Sequence, residues 1–247
     1  MKIIKFLVST VVLLFTGLII YAGNIKIYDD IELIEISEGF YIHKALYAFP
    51  GTNAKFPSNG IIVIKNGKAL MIDTPVTLEQ TEIICNYLKD SMNVEVEFFI
   101  GGHSHSDCIG GMNYFKNSST KTILNVRTKN ICLEKGLPLP DITYDSLYII
   151  DFHGIKAECH YFGAGHTVDN TVVFFPESKI LFGDCLIKSL DSQNLGNLQE
   201  AVVCEWIPTI EKIISTLGPI KYVIPGHGDY GSDELLKHTI KLVEQFK

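Results

Sequence analysis

The sequence predicts an α/β (α+β) fold in which two sheets pack on each other and carry their helices outside, and three observations lead there. The 247 residues are 47% hydrophobic, enough to bury a sizeable core and within the range of one domain. Short segments with strand patterning run through both halves of the chain, and amphipathic stretches accompany them. The helical stretches are divided between the halves, which implies sheet on sheet with helices on the outer faces.

Taken in order, Met1-Lys-Ile-Ile-Lys5 is a short basic start, and the apolar run from Phe6 to Ala22 follows it before the text turns polar. Residues 1–22 read as an export signal ahead of a single domain at 23–247, with Ile20-Tyr21-Ala22 a fair cleavage site. The run is long for a signal and short for a membrane span, so an uncleaved anchor is the alternative reading. Ile31 to Glu38, Phe40 to Leu46, Gly60 to Lys65 and Ala69 to Asp73 read as strands, with Lys65-Asn-Gly-Lys68 as a hairpin turn. Thr77 to Ser91 sets Ile83, Ile84, Tyr87 and Leu88 at helical spacing behind Thr77, and Glu95 to Ile100 is the next strand. Met112 to Phe115 and Thr128 to Lys135 read as helices around a strand at Thr122 to Asn125. Leu147 to Phe152, Ile155 to Phe162, Thr171 to Phe175 and Ile180 to Phe182 are strands. Trp206 to Leu217 and Glu234 to Phe246 are amphipathic helices flanking the strand Lys221 to Ile224.

Removing residues 1–22 takes away Lys2 and Lys5 and no acid, moving the formal charge from −7 to −9. An acidic chain with no Lys/Arg cluster has no electrostatic footprint for nucleic acid. The cysteines at 85, 108, 132, 159, 185 and 204 are irregularly spaced in a chain too large to need staples. Cys85, Cys132, Cys159 and Cys204 therefore read as small buried hydrophobes.

Chemistry enters where the strand ending at Ile100 runs into Gly101-Gly-His-Ser-His-Ser-Asp-Cys-Ile-Gly-Gly111. His103, His105 and Asp107 alternate there, so one loop aims imidazole nitrogens and a carboxylate at a small volume. Zinc accepts this mixture, and thiolate as well. Three further donors stand past strand ends among glycines: His166 in Gly163-Ala-Gly-His-Thr-Val-Asp-Asn170, Cys185 in Phe182-Gly-Asp-Cys185, and His227 in Pro225-Gly-His-Gly228. Glycine lets the backbone turn sharply and a ligand approach, as a site assembled from loops requires. Six donors are enough for two metals at three each.

Together with Cys185-Leu-Ile-Lys188, Leu195-Gly-Asn197, Pro57-Ser-Asn-Gly60 and Ile72-Asp-Thr-Pro75, these strings resemble the class B metallo-β-lactamases, specifically subclass B1. Cysteine after Asp107 and the run Glu134-Lys-Gly-Leu-Pro-Leu-Pro140 resemble its Bacteroides-type branch. The resemblance runs from about Ile31 to the C-terminus. It implies a four-layered αβ/βα sandwich with the cleft where the sheets meet, and two zinc ions (Zn2+) per chain. His103, His105 and His166 would hold the first, and Asp107, Cys185 and His227 the second. A hydroxide generated between them would open the β-lactam ring of penicillins, cephalosporins and carbapenems, giving antibiotic resistance. Asp107 and Asn197 are the catalytic candidates. Lys188 would pair with the substrate carboxylate and Asn197 would donate to the carbonyl oxygen. Leu46 to Asn59, with Tyr47, Phe49 and Phe56, resembles an apolar flap over substrate. Periplasmic location and a monomer without an obligatory protein partner are expected.

Two positions depart from the family. It carries glycine before the ligand cysteine, where this chain has Asp184, which reads as an acid behind the ligands or at the surface. It often carries arginine at Cys108, which reads as a thiol behind the second zinc, lowered in pKa and open to oxidation. Asp73 resembles the family's buried acid under the zinc loop. Asp169 and Asn170 read as turn-closing residues, and His43, His153, His160 and His238 as packing or surface residues within strands and helices. The competing functions are a thioester or lactone hydrolase of the same superfold and a non-catalytic zinc-binding protein. The first would show His-x-His-x-Asp-His and an aspartate in place of Cys185, and this chain has neither.

Overall fold

The computed structural model describes residues 24–48, 51 and 55–246; the expected export signal lies outside the described residues. The first sheet runs β1 (Ile25–Tyr28), β2 (Ile31–Ser37), β3 (Phe40–Ala48), β4 (Lys55–Lys65), β5 (Lys68–Ile72), β6 (Glu95–Gly101), β7 (Lys121–Asn125) and β8 (Ile142–Tyr144) in that spatial order. It is an antiparallel meander as far as β5 and parallel beyond it. The second sheet runs β9 (Leu147–Phe152), β10 (Ile155–His160), β11 (Val172–Phe175), β12 (Ile180–Asp184) and β13 (Tyr222–Pro225), antiparallel except for the last pair. Helices α1 (Leu78–Met92), α2 (Ser106–Ile109), a 3-10 turn at Met112–Asn117 and α3 (Val126–Lys135) belong to the first half, and α4 (Val203–Thr216) and α5 (Glu234–Phe246) to the second.

Local chemistry explains the boundaries. Asn66 and Gly67 take φ of 52° and 72°, the left-handed pair that a two-residue hairpin between β4 and β5 requires. Thr77 caps α1 by accepting the Gln80 N–H at 3.2 Å, and Asn93 ends it at φ 53°. Side chains alternate across each strand, so both faces of the central strands are apolar. Ile61, Val63, Leu70 and Ile72 point between the sheets and meet Phe152, Val173, Phe175 and Phe182. Ile62, Ala69 and Met71 face the other way and meet Ile84, Leu88 and Phe115. Trp206, Ile210 and Ile213 of α4 with Leu235, Leu242 and Val243 of α5 cover Val172, Phe174 and Leu181. Four layers result, and each fully buried Leu or Ile contributes roughly 1.5–3 kcal/mol.

Several expectations need correction. The short strands β1 and β8 and the single-turn helix α2 carry too few residues to show a period. The strand expected from Gly60 starts earlier: β4 begins at Lys55, so the stems of the segment Leu46 to Asn59 are ladder, pairing Leu46 with Pro57 and Tyr47 with Phe56. Phe49 lies outside the described residues. Cys85, Cys132 and Cys159 are buried as expected, but Cys204 is exposed, because the first turn of α4 presents it to solvent. His153 stands in the β9–β10 turn beside Gly154 at φ 51°, not within a strand.

Cross-sheet bonds gather the functional loops. Asn59 of β4 donates its backbone N–H to Gly226 at 2.8 Å and its amide to the carbonyls of Pro225 and Gly228 at 2.9 and 2.7 Å, fixing the loop after β13. Thr171 donates to the Gly102 carbonyl from both N–H and hydroxyl at 2.9 Å, fixing the loop after β6.

Candidate metal centre

Four loops at strand ends meet at one edge of the sandwich. The loop after β6 is held from beneath by two buried carboxylates: Asp73 accepts Gly102 N–H at 2.7 Å and Asp169 accepts Ser104 N–H at 2.9 Å. Asp169 thus does more than close its own turn. Asn170 does close it, accepting Thr167 N–H and donating to the Gly163 carbonyl, both at 2.9 Å.

The six expected donors fall into two groups. One nitrogen from each of His103, His105 and His166 lies within 4.8 Å of the others, and the ring centres are 4.5, 5.0 and 5.3 Å apart. One atom each of Asp107, Cys185 and His227 gathers within the same limit: His227 Nε2 is 3.1 Å from both Cys185 Sγ and Asp107 Oδ2. His227 Nδ1 donates to the Pro57 carbonyl at 2.7 Å, which turns Nε2 inward. Asp184, Cys108, His103 and Cys185 form a third, wholly buried set behind them.

The donor chemistry fits zinc. Three imidazoles make one group, and imidazole, carboxylate and thiol make the other. His103 Nε2 is buried with no hydrogen-bond partner among the described residues, a polar atom otherwise costly to leave unmet. The charges of the chain's own groups bear strongly on one another, as expected of a cluster that draws in a cation. Burial opposes charge on His227, but the Cys185 sulfur and the Asp107 carboxylate raise its imidazole well above the usual range. Burial likewise opposes ionised Asp107, yet His227 and His103 hold it well below the usual carboxylate range. The Cys108 hydrogen bond and His227 lower the Cys185 thiol. Among the chain's own groups, burial pushes the Cys108 thiol well up; the lowering expected at Cys108 is tied to bound metal. Asp184 is 1% exposed with its carboxylate on His103 and down to about 2, so the surface reading is excluded.

A cleft of about 400 Å³ opens over both groups, lined by Lys188, Asn197, Tyr47, Phe56 and Val76 besides the donors. Lys188 is 8% exposed, its ammonium 5.4 Å from the Trp206 ring centre, and burial lowers its pKa. Asn197 is exposed and its Oδ1 accepts Gln199 N–H at 3.1 Å, leaving Nδ2 as its donor. Glu200 had no signal in the sequence. Its Oε2 accepts from His105 Nε2 at 2.7 Å and its Oε1 from Lys135 at 3.0 Å, which ties the Asn197 loop to a candidate ligand.

No protein-family model matches the chain. Among curated proteins it is 37% identical over 246 residues to the type 2 metallo-β-lactamase of Bacteroides fragilis, spanning 100% of this chain and 97% of that one. It is 32% identical over 214 residues to that of Bacillus cereus, spanning 87% and 83%. Among solved structures, a metallo-β-lactamase from Pontibacter korlensis matches with a TM-score of 0.82 at 33% identity, over 87% of this chain and 99% of that one. DIM-1 metallo-β-lactamase matches at 0.80 and 30%, over 88% and 99%.

Proposed function

Since the chain belongs to the metallo-β-lactamases, of the B1, Bacteroides-like kind, we propose that it hydrolyses the β-lactam amide of penicillins, cephalosporins and carbapenems with two zinc ions, as an exported, periplasmic resistance enzyme. Zinc-dependent β-lactam hydrolysis follows from the family. The substrate range, the metal count, the residue roles and the location are our reading. One observation carries it: the N,N,N and N,O,S groups share the floor of a cleft whose wall holds a buried ammonium.

His103, His105 and His166 would hold one zinc, and Asp107, Cys185 and His227 the other. Zinc supplies Lewis acidity, making water nucleophilic at neutral pH and offsetting charge that develops on the amide. The chain's own groups supply the rest. Lys188 draws in the carboxylate that β-lactams carry beside the ring nitrogen. Asn197 Nδ2 donates to the amide carbonyl oxygen as it gains charge. Asp107 is engaged through Oδ2 and is held in its ionised form, so its carboxylate would serve as the acceptor that orients a water entering the cleft. Tyr47 and Phe56 wall the cleft on the β3–β4 side and help to exclude bulk water.

The test is loss of imipenem absorbance by residues 23–247 with zinc, with a chelator, and as Cys185→Ala. Zinc-dependent loss that falls by orders of magnitude in the variant is expected. If the zinc-loaded chain leaves imipenem and a chromogenic cephalosporin intact, the reading falls. Sequencing the N-terminus of protein released by osmotic shock tests export, and an intact Met1 in the spheroplast fraction would count against it.

A further inference from the structure

We propose that Asp184 is a positioning residue for the three-histidine site: it grips His103 through Nδ1, turns Nε2 toward His105 and His166, and tightens zinc there. The proposal rests on the metal reading above.

Three observations carry it. First, the backbone at Asp184 has φ 50°, the left-handed region that glycine takes freely and other side chains resist. A backbone suited to glycine therefore carries a side chain, and the loop accommodates it: a Cβ built on Gly102 would overlap the Asp184 carboxylate, so that position must stay glycine. Second, the carboxylate is 1% exposed and both its oxygens are engaged. Oδ2 accepts from His103 Nδ1 at 2.7 Å and Oδ1 from the Cys108 thiol at 3.4 Å. A histidine that donates from Nδ1 presents its lone pair at Nε2, and Nε2 is the buried atom left without a partner. Third, the other imidazoles with visible partners are held by weaker means. His105 leans on Glu200, whose side chain is 44% exposed, and His227 on a backbone carbonyl. Among the described candidate ligands, His103 is the one whose outer nitrogen, Nδ1, meets a carboxylate sealed from water, where hydrogen bond and charge both act at full strength and make the ligand nitrogen more basic.

Asp184 also shares a boundary with the second site without entering it. Its carbonyl accepts Gly226 N–H at 2.8 Å, beside His227, and the next residue is Cys185. The test must therefore separate its side chain from its backbone.

Asp184→Asn keeps the shape and a weaker acceptor. Asp184→Gly suits the left-handed backbone and removes the acceptor. Zinc affinity is read by competition with a chromophoric chelator, and the cobalt-loaded chains by their visible spectrum. Affinity for one metal equivalent should fall in the order Asp, Asn, Gly, by roughly 10- to 100-fold. The cobalt d–d bands should shift while the sulfur-to-cobalt band from Cys185 persists. A purely structural role predicts the reverse order, since glycine relieves the left-handed backbone. Affinities within twofold of the parent in both variants, or a change confined to the sulfur band, would overturn the proposal. If the parent binds zinc but opens no β-lactam, the functional reading fails while these affinities still judge Asp184.

Discussion

Lys188 allows a quantitative prediction because its ammonium is 8% exposed and has no carboxylate in salt-bridge range among the described residues. Burial lowers its pKa, so the folded chain carries a cation that is under-solvated before substrate arrives. A substrate carboxylate would replace the missing partner, and a hydrogen bond to a charged group contributes about 1.5–3 kcal/mol. Lys188→Met keeps the aliphatic stem over Trp206 and removes only the charge. The expected result is a loss in kcat/KM of roughly 10- to 150-fold, most of it in KM. The melting temperature should stay at or above that of the parent, because a poorly solvated charge has been removed from the interior. Steady-state kinetics on a penicillin and on its methyl ester provide the assay. The parent should prefer the acid, and the variant should treat acid and ester alike. If Lys188→Met retains the parent's preference for the acid, or keeps KM within twofold, the carboxylate role assigned to Lys188 is wrong.

Other outcomes follow from the same geometry. Glu200→Ala frees His105 Nε2, but this pair is exposed to solvent and worth about 0.2–1 kcal/mol, so kcat/KM should drop by no more than about 5-fold; a larger loss would mean that the Asn197 loop collapses. His43 is fully buried, donates to the Asp73 carbonyl at 3.1 Å, and is pulled down to about 4 chiefly by burial. The unfolded chain takes up that proton near pH 6.5, so the stability contributed by neutral His43 is complete above about 6.5 and is lost as pH falls toward 4, by roughly 3 kcal/mol. Ring-proton NMR of the zinc-loaded chain, with His43 assigned by comparison with His43→Gln, should show the His43 ring staying neutral to about pH 4; its titration near 6.5 would contradict this. An aromatic disulfide reagent should label Cys204 quickly in the native chain and the other five cysteines only after unfolding; several fast thiols would show that the interior is looser than described.

Much of the centre was legible because its signals are local. His103, His105 and Asp107 share one loop, and His166, Cys185 and His227 each carry glycines that mark a turn at a strand end. The Lys65-Asn-Gly-Lys68 hairpin and the Thr77 cap were legible for the same reason, since turn and cap chemistry acts within four residues. The start of β4 was misread because ladder pairing between Leu46 and Pro57 depends on strand register across a turn. Cys204 was misplaced because a residue in the first turn of a helix gives no sign of which way that turn faces.

The sequence alone therefore determined the types of the longer elements, the donor inventory and the strand ends that carry it, since periodicity and turn chemistry are set by neighbours in the chain. Tertiary structure alone decided the partnerships. Asp184 meets His103 across 81 positions and Glu200 meets His105 across 95. It also decided the charge states: whether a carboxylate or thiol is ionised depends on how far it is sealed from water and on which charges lie beside it, and both are properties of the packed molecule.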